Sequence, residues 1–313
     1  MRKDGFTLIE LLVVLALLSL VLAAVLQSYI NILKSYKNQS SISKSNIDKL
    51  ITFELIRRDI ENCGFGLDIN NSPISYNGSL LVLRSTLLLR NSATKCFGYI
   101  DPSSIKFFTI EASDITSSNC NDTSFCYVAL DLDYNLNSTC YNITLNPANG
   151  VYLLFGLLDS TSSINRPYNE IQYSLSNSHV LTTCAPGTFE LTRKEILANG
   201  NSSGAQPIFD CVKDFKVAFG LDTNGDGAID QWTTTLPGTP SDIRTQVKEI
   251  NVIILYHEGR RDLDFNYSQG TIYLNATSSL VLGQFTPTGD ELHYRWKVAK
   301  ITITPMNFRR ENR

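Results

Sequence analysis

The sequence predicts an α+β protein in which one long N-terminal helix is followed by a mainly antiparallel β-sheet domain. No Pro or Gly interrupts the chain between Gly5 and Gly64, and apolar residues recur there at helical spacing. Beyond residue 65, short apolar or alternating runs are separated by clusters of Asn, Ser, Gly and Pro, which is typical of strands and turns. We expect the sheet to pack one face on the second half of the helix.

The predicted helix has two halves of different character. Phe6 to Leu26 is mainly apolar for 21 residues, with Glu10 as its one charge. A helix of that length spans about 30 Å, the thickness of a bilayer's hydrocarbon core. The following residues keep apolar positions at helical spacing, which predicts an amphipathic half. The predicted division is a leader at 1–5, an apolar half at 6–27, an amphipathic half at 28–65 and an extracytoplasmic β-rich domain at 66–313.

Glu10 needs an explanation, because a carboxylate inside an apolar span costs about 3 kcal/mol unless something pairs with it. A cleaved signal peptide has a shorter apolar core than this run, and an ordinary single-pass anchor offers no role for Glu10. Arg2 and Lys3 precede the apolar run and place the leader on the cytoplasmic side by the positive-inside rule. The carboxylate therefore favours a specialised anchor over an ordinary one.

The stretch G-F-T-L-I-E, with its basic leader and unbroken apolar helix, resembles the class III signal of type IV prepilins and pseudopilins. The resemblance implies that a prepilin peptidase cuts between Gly5 and Phe6 and methylates the new amine of Phe6. Glu10 then becomes the fifth mature residue, and its carboxylate can neutralise the amine of a neighbouring subunit when helices stack with an axial offset. The implied partners are other pilin and minor pilin subunits and the inner-membrane assembly machinery.

Three later stretches resemble the PilW-type minor pilins. They are RRDIENCGFG at 57–66, the region 211–262 that contains CVKDFKVAFGLD and VKEINVIILYHE, and WKVAKITITPMNFRREN at 296–312. Residues from about 91 to 210 match that family only in general character. The resemblance implies a pilin-like fold and a subunit that primes pilus assembly or sits at the tip.

Strands are predicted throughout the domain, including HVLTT at 179–183. TRKEILANG at 192–200 is the one stretch after the long helix that suggests a helical turn. Residues 112–149 are loop-rich and Cys-dense, and we expect them to form an inserted lobe.

All seven cysteines follow the apolar run and are disulfide candidates. They are Cys63, Cys96, Cys120, Cys126, Cys140, Cys184 and Cys211. None forms C-x-x-C, which disfavours a zinc site, and an oxidising compartment predicts disulfides with one thiol left over. The alternative is that several are free buried thiols. At least one local bridge is predicted among Cys120, Cys126 and Cys140, and Cys63 is placed to staple the helix end to the domain.

One acidic loop follows the calcium-loop pattern D-x-N-x-D-G-x-x-D. Its oxygen donors are the side chains of Asp222, Asn224, Asp226 and Asp230 and the carbonyl group of Ala228. Position twelve is Thr233, where an EF-hand has a bidentate Glu. The alternative is an acidic hairpin turn, because Asn-Gly and Asp-Gly are strong hairpin signals. We favour calcium, with a dissociation constant of roughly 10⁻⁴–10⁻³ M.

Composition and motifs exclude several other functions. The net charge of −3 gives no basic field for nucleic acid. No G-x-S-x-G, H-E-x-x-H or phosphate-binding glycine loop is present, which predicts a non-enzymatic protein. We expect a minor pilin that spans the inner membrane once before it joins an extracellular or periplasmic filament. The alternatives are a type II secretion pseudopilin and, from another class, a membrane-anchored periplasmic binding or enzyme domain.

Overall fold

A computed structural model describes residues 8–88, 93–109, 120, 125–141, 150–158 and 164–308. Helix α1 runs from Leu8 to Asn62 without a break, which confirms the long N-terminal helix. A short helix, α2, spans Pro240–Gln246, and 3₁₀ turns lie at Ala93–Lys95 and Gly289–His293.

Fifteen strands account for most of the remaining described residues. They are β1 (Ile74–Tyr76), β2 (Leu80–Ser85), β3 (Cys96–Ile100), β4 (Ile105–Thr109), β5 (Cys126–Leu130), β6 (Leu136–Tyr141), β7 (Tyr152–Leu158), β8 (Asn169–Ser176), β9 (Phe189–Ile196), β10 (Gln206–Leu221), β11 (Gln231–Thr233), β12 (Val247–Glu258), β13 (Ile272–Asn275), β14 (Val281–Phe285) and β15 (Arg295–Ile303).

The strands form three sheets in which neighbouring strands are antiparallel, so the α+β prediction is confirmed. The main sheet has the order β1-β2-β8-β9-β10-β12-β15, and β11 pairs with β10. The second sheet has the order β4-β3-β7-β5-β6, and β13 and β14 form a separate hairpin.

The main sheet lies between α1 on one face and the β13–β14 hairpin on the other. The alternation along β12 explains how both faces are buried: Ile250, Val252 and Ile254 belong to the apolar cluster of α1, whereas Ile253 and Leu255 belong to that of the hairpin. On α1, Ile56 and Ile60 have no exposed surface. Helix α1 therefore packs on the sheet through its second half, as the sequence predicts.

The end of α1 requires glycine because the chain turns there against other elements. Gly66 has φ +63°, and a Cβ atom at this position would lie 2.3 Å from Thr86 Oγ1 and 2.7 Å from Phe155 Cγ. A side chain would therefore meet both an unfavourable backbone conformation and occupied space. This close approach joins the end of α1 to the second sheet.

Two local predictions differ from the structure. Residues 179–183 form turns, not a strand, and the predicted helical turn at 192–200 begins instead with the last five residues of β9. Helix α2 was not predicted, although Thr239 caps it by accepting a hydrogen bond from Asp242 N and Pro240 begins it. The second sheet spans residues 96–158. The inserted lobe at 112–149 stays a prediction, because 112–119, 121–124 and 142–149 lie outside the described residues.

Candidate functional site

The apolar half of α1 makes a surface that the rest of the chain does not cover. Within the described residues, α1 is the helix long and apolar enough to cross a membrane, and none of its most apolar segment is buried in the domain. Leu8, Leu15 and Leu22 are 81%, 57% and 54% exposed. Glu10 lies on this surface in the first turn of the helix, and Gly5 and Phe6 lie outside the described residues.

Exposed apolar residues also continue along the second half of α1. Leu50 and Ile51 follow Ile47 by three and four residues, so both lie beside it on one face, and all three are exposed. Ile56 and Ile60 lie on the face that packs against the main sheet. The second half therefore has one buried apolar face and one outward patch.

A buried ion pair fixes α1 to the main sheet. Arg193 Nε of β9 donates to Asp59 Oδ2 over 2.6 Å, and Nη2 donates to Asp59 Oδ1 over 3.2 Å. The Tyr173 hydroxyl of β8 donates to the same carboxylate, and Arg193 also pairs with Glu195. Burial raises the pKa of Asp59, and the Arg193 guanidinium opposes that rise. We call the contacts among Asp59, Arg193 and Tyr173 the clamp. Because the ion pair is bidentate, it fixes both the position of α1 along the main sheet and its rotation about its own axis.

Sequence reasoning missed the clamp although a signal was present. Asp59 lies between the buried positions Ile56 and Ile60 on the helix, where an amphipathic pattern expects an apolar residue. A charged residue at such a position needs a partner inside the fold. The sequence gives no indication that the partner is Arg193, 134 residues away.

Two further polar contacts hold α1 and the turn that follows it. The Thr52 hydroxyl donates to the Ile208 carbonyl oxygen over 2.6 Å. Past the helix end, Arg244 Nη2 donates to the carbonyl oxygens of Leu67, Asp68 and Asn71 at 3.0–3.3 Å. Arg244 lies on α2, so this short helix orders the chain as it leaves α1.

Six of the seven cysteines pair, in the bridges Cys96–Cys120, Cys126–Cys140 and Cys184–Cys211. The predictions of a local bridge and of one remaining thiol are confirmed. The predicted staple at Cys63 is wrong: Cys63 is the free cysteine, and its buried Sγ donates to the Ile60 carbonyl oxygen over 2.9 Å. The thiol of Cys63 therefore contacts the last turn of α1 and does not reach another cysteine.

The acidic loop is folded around its first carboxylate. Asp222 Oδ1 accepts from Gly225 N over 2.7 Å and Oδ2 accepts from Gly227 N over 2.9 Å. Lys248 Nζ lies 3.1 Å from the same Oδ2. An ammonium group therefore occupies part of the space in which a cation at the first loop position would contact Asp222.

The other two carboxylates of the loop also accept hydrogen bonds from backbone amides. Asp226 Oδ1 accepts from Ala228 N over 2.8 Å, and Asp230 Oδ2 accepts from Thr223 N over 2.9 Å. In the described part of the chain, the carboxylates of the loop do not form a group of three with oxygens within 4.8 Å of one another. Calcium binding stays a prediction, and it requires the carboxylates to turn inward.

Among the described residues, metal-ligating atoms do come together at one corner of the domain. Ligand atoms of Cys184, Cys211 and His257 lie within 4.8 Å of one another, but the two sulfurs form a disulfide and offer no thiolate. His257 Nε2 accepts from Ala185 N over 2.9 Å. Burial lowers the pKa of His257 to about 4, so its ring is neutral at pH 7. These residues form a packed corner of the domain.

Two family models match the chain. That of the Prokaryotic N-terminal methylation motif matches residues 1–26, and that of Type IV Pilus-assembly protein W matches residues 177–307. No curated protein and no solved structure matches the chain significantly. The predicted resemblance to type IV pilin-like proteins, most like the PilW type, is confirmed.

The two matched ranges cover the apolar half of α1 and part of the main sheet, but not the second half of α1 that packs on that sheet. The first contains the apolar half of α1, and the second contains β10, β12 and β15, which contact α1. The second sheet and the stretch 57–66 lie outside both ranges. The prepilin motif and the exposed apolar helix fit a membrane-anchored pilin, with pilin partners and processing by a prepilin peptidase.

Proposed function

We propose that this type IV pilin-like protein is a minor pilin, a structural subunit that primes pilus assembly or lies at the pilus tip. The proposal rests on the contrast within α1, whose apolar half is bare while its second half is clamped to a folded domain. The chain is stored in the inner membrane, processed between Gly5 and Phe6, and then extracted into an extracellular or periplasmic filament. Glu10 pairs with the amine of a neighbouring subunit.

The size and position of the folded domain support this role. The part of α1 that enters a filament is the apolar half. The described residues between 66 and 308 follow the helix and form the folded domain that it carries. The match to Type IV Pilus-assembly protein W over residues 177–307 favours a part in assembly. The absence of enzymatic activity stays a prediction.

The processing step is tested by the intact mass and N-terminal sequence of the mature chain. We expect a chain that begins at methylated Phe6 and has lost five residues. A Gly5→Leu variant should keep Met1, because the peptidase reads the residue before the cut. A wild-type chain that retains Met1, or that is cut after Ala24, contradicts the proposal and favours a membrane-anchored periplasmic binding or enzyme domain.

The assembly step is tested by Glu10→Ala. We expect membrane insertion to be unchanged and incorporation into sheared filaments to fall at least about tenfold, because the variant leaves a neighbour's buried amine unpaired. Glu54→Ala is the matched control, since Glu54 is an exposed acid on the same helix. Normal incorporation of Glu10→Ala would refute the pairing role.

Deletion of the whole chain separates a pilus subunit from a type II secretion pseudopilin. We expect fewer or no pili and unchanged protein secretion. Lost secretion with normal piliation assigns the chain to the secretion system. Either result leaves the processing test intact, because both classes carry the same signal.

We also propose that the 222–230 loop binds calcium weakly. For a dissociation constant of roughly 10⁻⁴–10⁻³ M, 1 mM Ca²⁺ should stabilise the fold by about 0.4–1.4 kcal/mol. Lys248→Gln should raise the affinity by freeing Asp222, and Asp226→Asn should lower it. Thermal unfolding that is the same in Ca²⁺, Mg²⁺ and chelator would leave the loop as an acidic turn.

A further inference from the structure

The part of α1 that follows the apolar run carries positive charge without compensation from its own helix. From Leu11 to Ile47 the chain contains Lys34, Lys37 and Lys44 but no Asp, Glu or Arg. At about 100° per residue, the three lysines fall within roughly 80° of the helix circumference. In the described ranges, no carboxylate oxygen lies within 4 Å of their ammonium groups. We call Lys34 and Lys37, with Tyr29 and Tyr36, the basic collar.

A groove continues this positive face toward the domain. It has a volume of about 430 Å³; Lys37 and Lys44 line its helix wall, and Arg260 and the acid Asp210 line the opposite wall. The groove begins at Tyr36, and its helix acid, Asp48, lies one turn beyond Lys44 on the side away from the apolar run. On α1, Lys37 and Lys44 are therefore nearer to the apolar run than Asp48 is.

The distance from the apolar run places the basic collar at a membrane surface. Counted from Phe6, a hydrocarbon core of about 30 Å ends near Leu26, so Lys34 and Lys37 lie about 12 and 16 Å beyond it. The headgroup layer extends roughly 5–7 Å beyond the hydrocarbon. Lysine stems allow the ammonium groups to reach back toward that layer. Tyr29 and Tyr36, 57% and 67% exposed, are the residue type that lies at such interfaces.

We propose that the basic collar binds the phosphate groups of anionic phospholipids in the leaflet from which α1 emerges. Charge complementarity selects this ligand, because a zwitterionic headgroup carries its own cation beside the phosphate and gains less from the lysines. The contact holds α1 at a fixed depth in the membrane and has to break when the subunit is extracted.

The test uses the mature full-length protein in nanodiscs of equal phosphatidylglycerol and phosphatidylcholine. Native mass spectrometry counts the lipids that stay bound after release from the disc. We expect wild type to retain more phosphatidylglycerol, and the ratio of the two lipids to fall about fivefold for each lysine changed in Lys34→Gln and Lys37→Gln. Raising NaCl from 0.05 to 0.5 M before release should lower the wild-type ratio by screening.

A double variant of two domain lysines, Lys106→Gln with Lys194→Gln, is the matched control and should keep the wild-type ratio. An equal retention of the two lipids by wild type would overturn the proposal. So would an unchanged ratio in the Lys34/Lys37 double variant, or an equal fall in the control. Because the readout needs no filament, it stands apart from the test of incorporation.

Discussion

The two halves of α1 differ in what surrounds them. Residues 8–27 contact no sheet and expose their leucines and valines in every direction, whereas in residues 28–62 Ile56, Asp59 and Ile60 are buried against the main sheet. Both halves contain many apolar residues, but their spacing differs. A helix that is apolar all round needs an apolar environment on every side, and one with a single apolar face needs one partner.

The two halves of α1 have separate roles: the second half stabilises the domain, and the first half is available for assembly. The second half contributes to the folding of the domain, because its buried face and the clamp join α1 to β8 and β9. The first half contributes nothing to that core and is free to exchange a bilayer for neighbouring helices. A subunit that moves from membrane to filament needs this separation, since the moving surface must change partners without unfolding the domain.

Asp59→Ala should give the largest loss of stability in the second half. It leaves the Arg193 guanidinium buried beside Glu195 alone, and removing one member of a buried pair costs about 3–5 kcal/mol. The free energy of unfolding in denaturant, measured on detergent-solubilised protein, tests this. Asp59→Leu combined with Arg193→Met should lose less than the single change, because it removes both charges. A loss below about 1 kcal/mol in Asp59→Ala would show that the clamp does not hold α1.

A matched pair of truncations in the two halves gives the next largest effect. Ile60→Ala opens a cavity in the main core and should cost about 3 kcal/mol. Leu17→Ala, at a position 58% exposed, should change the unfolding free energy by less than about 0.5 kcal/mol. The same denaturant measurement on both variants tests the contrast. Equal losses would mean that the first half also packs on the domain.

The sequence was sufficient for features that depend on local pattern. The unbroken helix followed from the absence of Pro and Gly, and β12 matches its predicted run because alternate residues meet opposite faces of the main sheet. A local bridge among Cys120, Cys126 and Cys140 also followed from proximity in the chain, and Cys126–Cys140 is that bridge. Local pattern marks α2 as well, because Thr239 caps the helix and Pro240 begins it.

Features that depend on distant partners could not be derived in the same way. Nothing in the local pattern connects Asp59 with Arg193 or Cys184 with Cys211. Lys248, which contacts Asp222, lies on β12 and outside the calcium-like motif, so the motif alone overstated how free the carboxylate is. One free thiol was predicted from the odd number of cysteines. That it is Cys63 depends on which of the other cysteines the fold brings together.

Leu50 is an exception to the contrast between the two halves, because it lies in the second half yet 67% of its surface is exposed. Leu50→Gln should change the unfolding free energy by less than about 0.5 kcal/mol, since no core contact is lost. If the outward patch of Ile47, Leu50 and Ile51 meets a neighbouring subunit, incorporation into filaments should fall about tenfold, because a buried leucine contributes about 1.5–3 kcal/mol. Leu50→Met keeps the apolar area and should incorporate normally. Normal incorporation of Leu50→Gln would confine the assembly surface to the first half of α1.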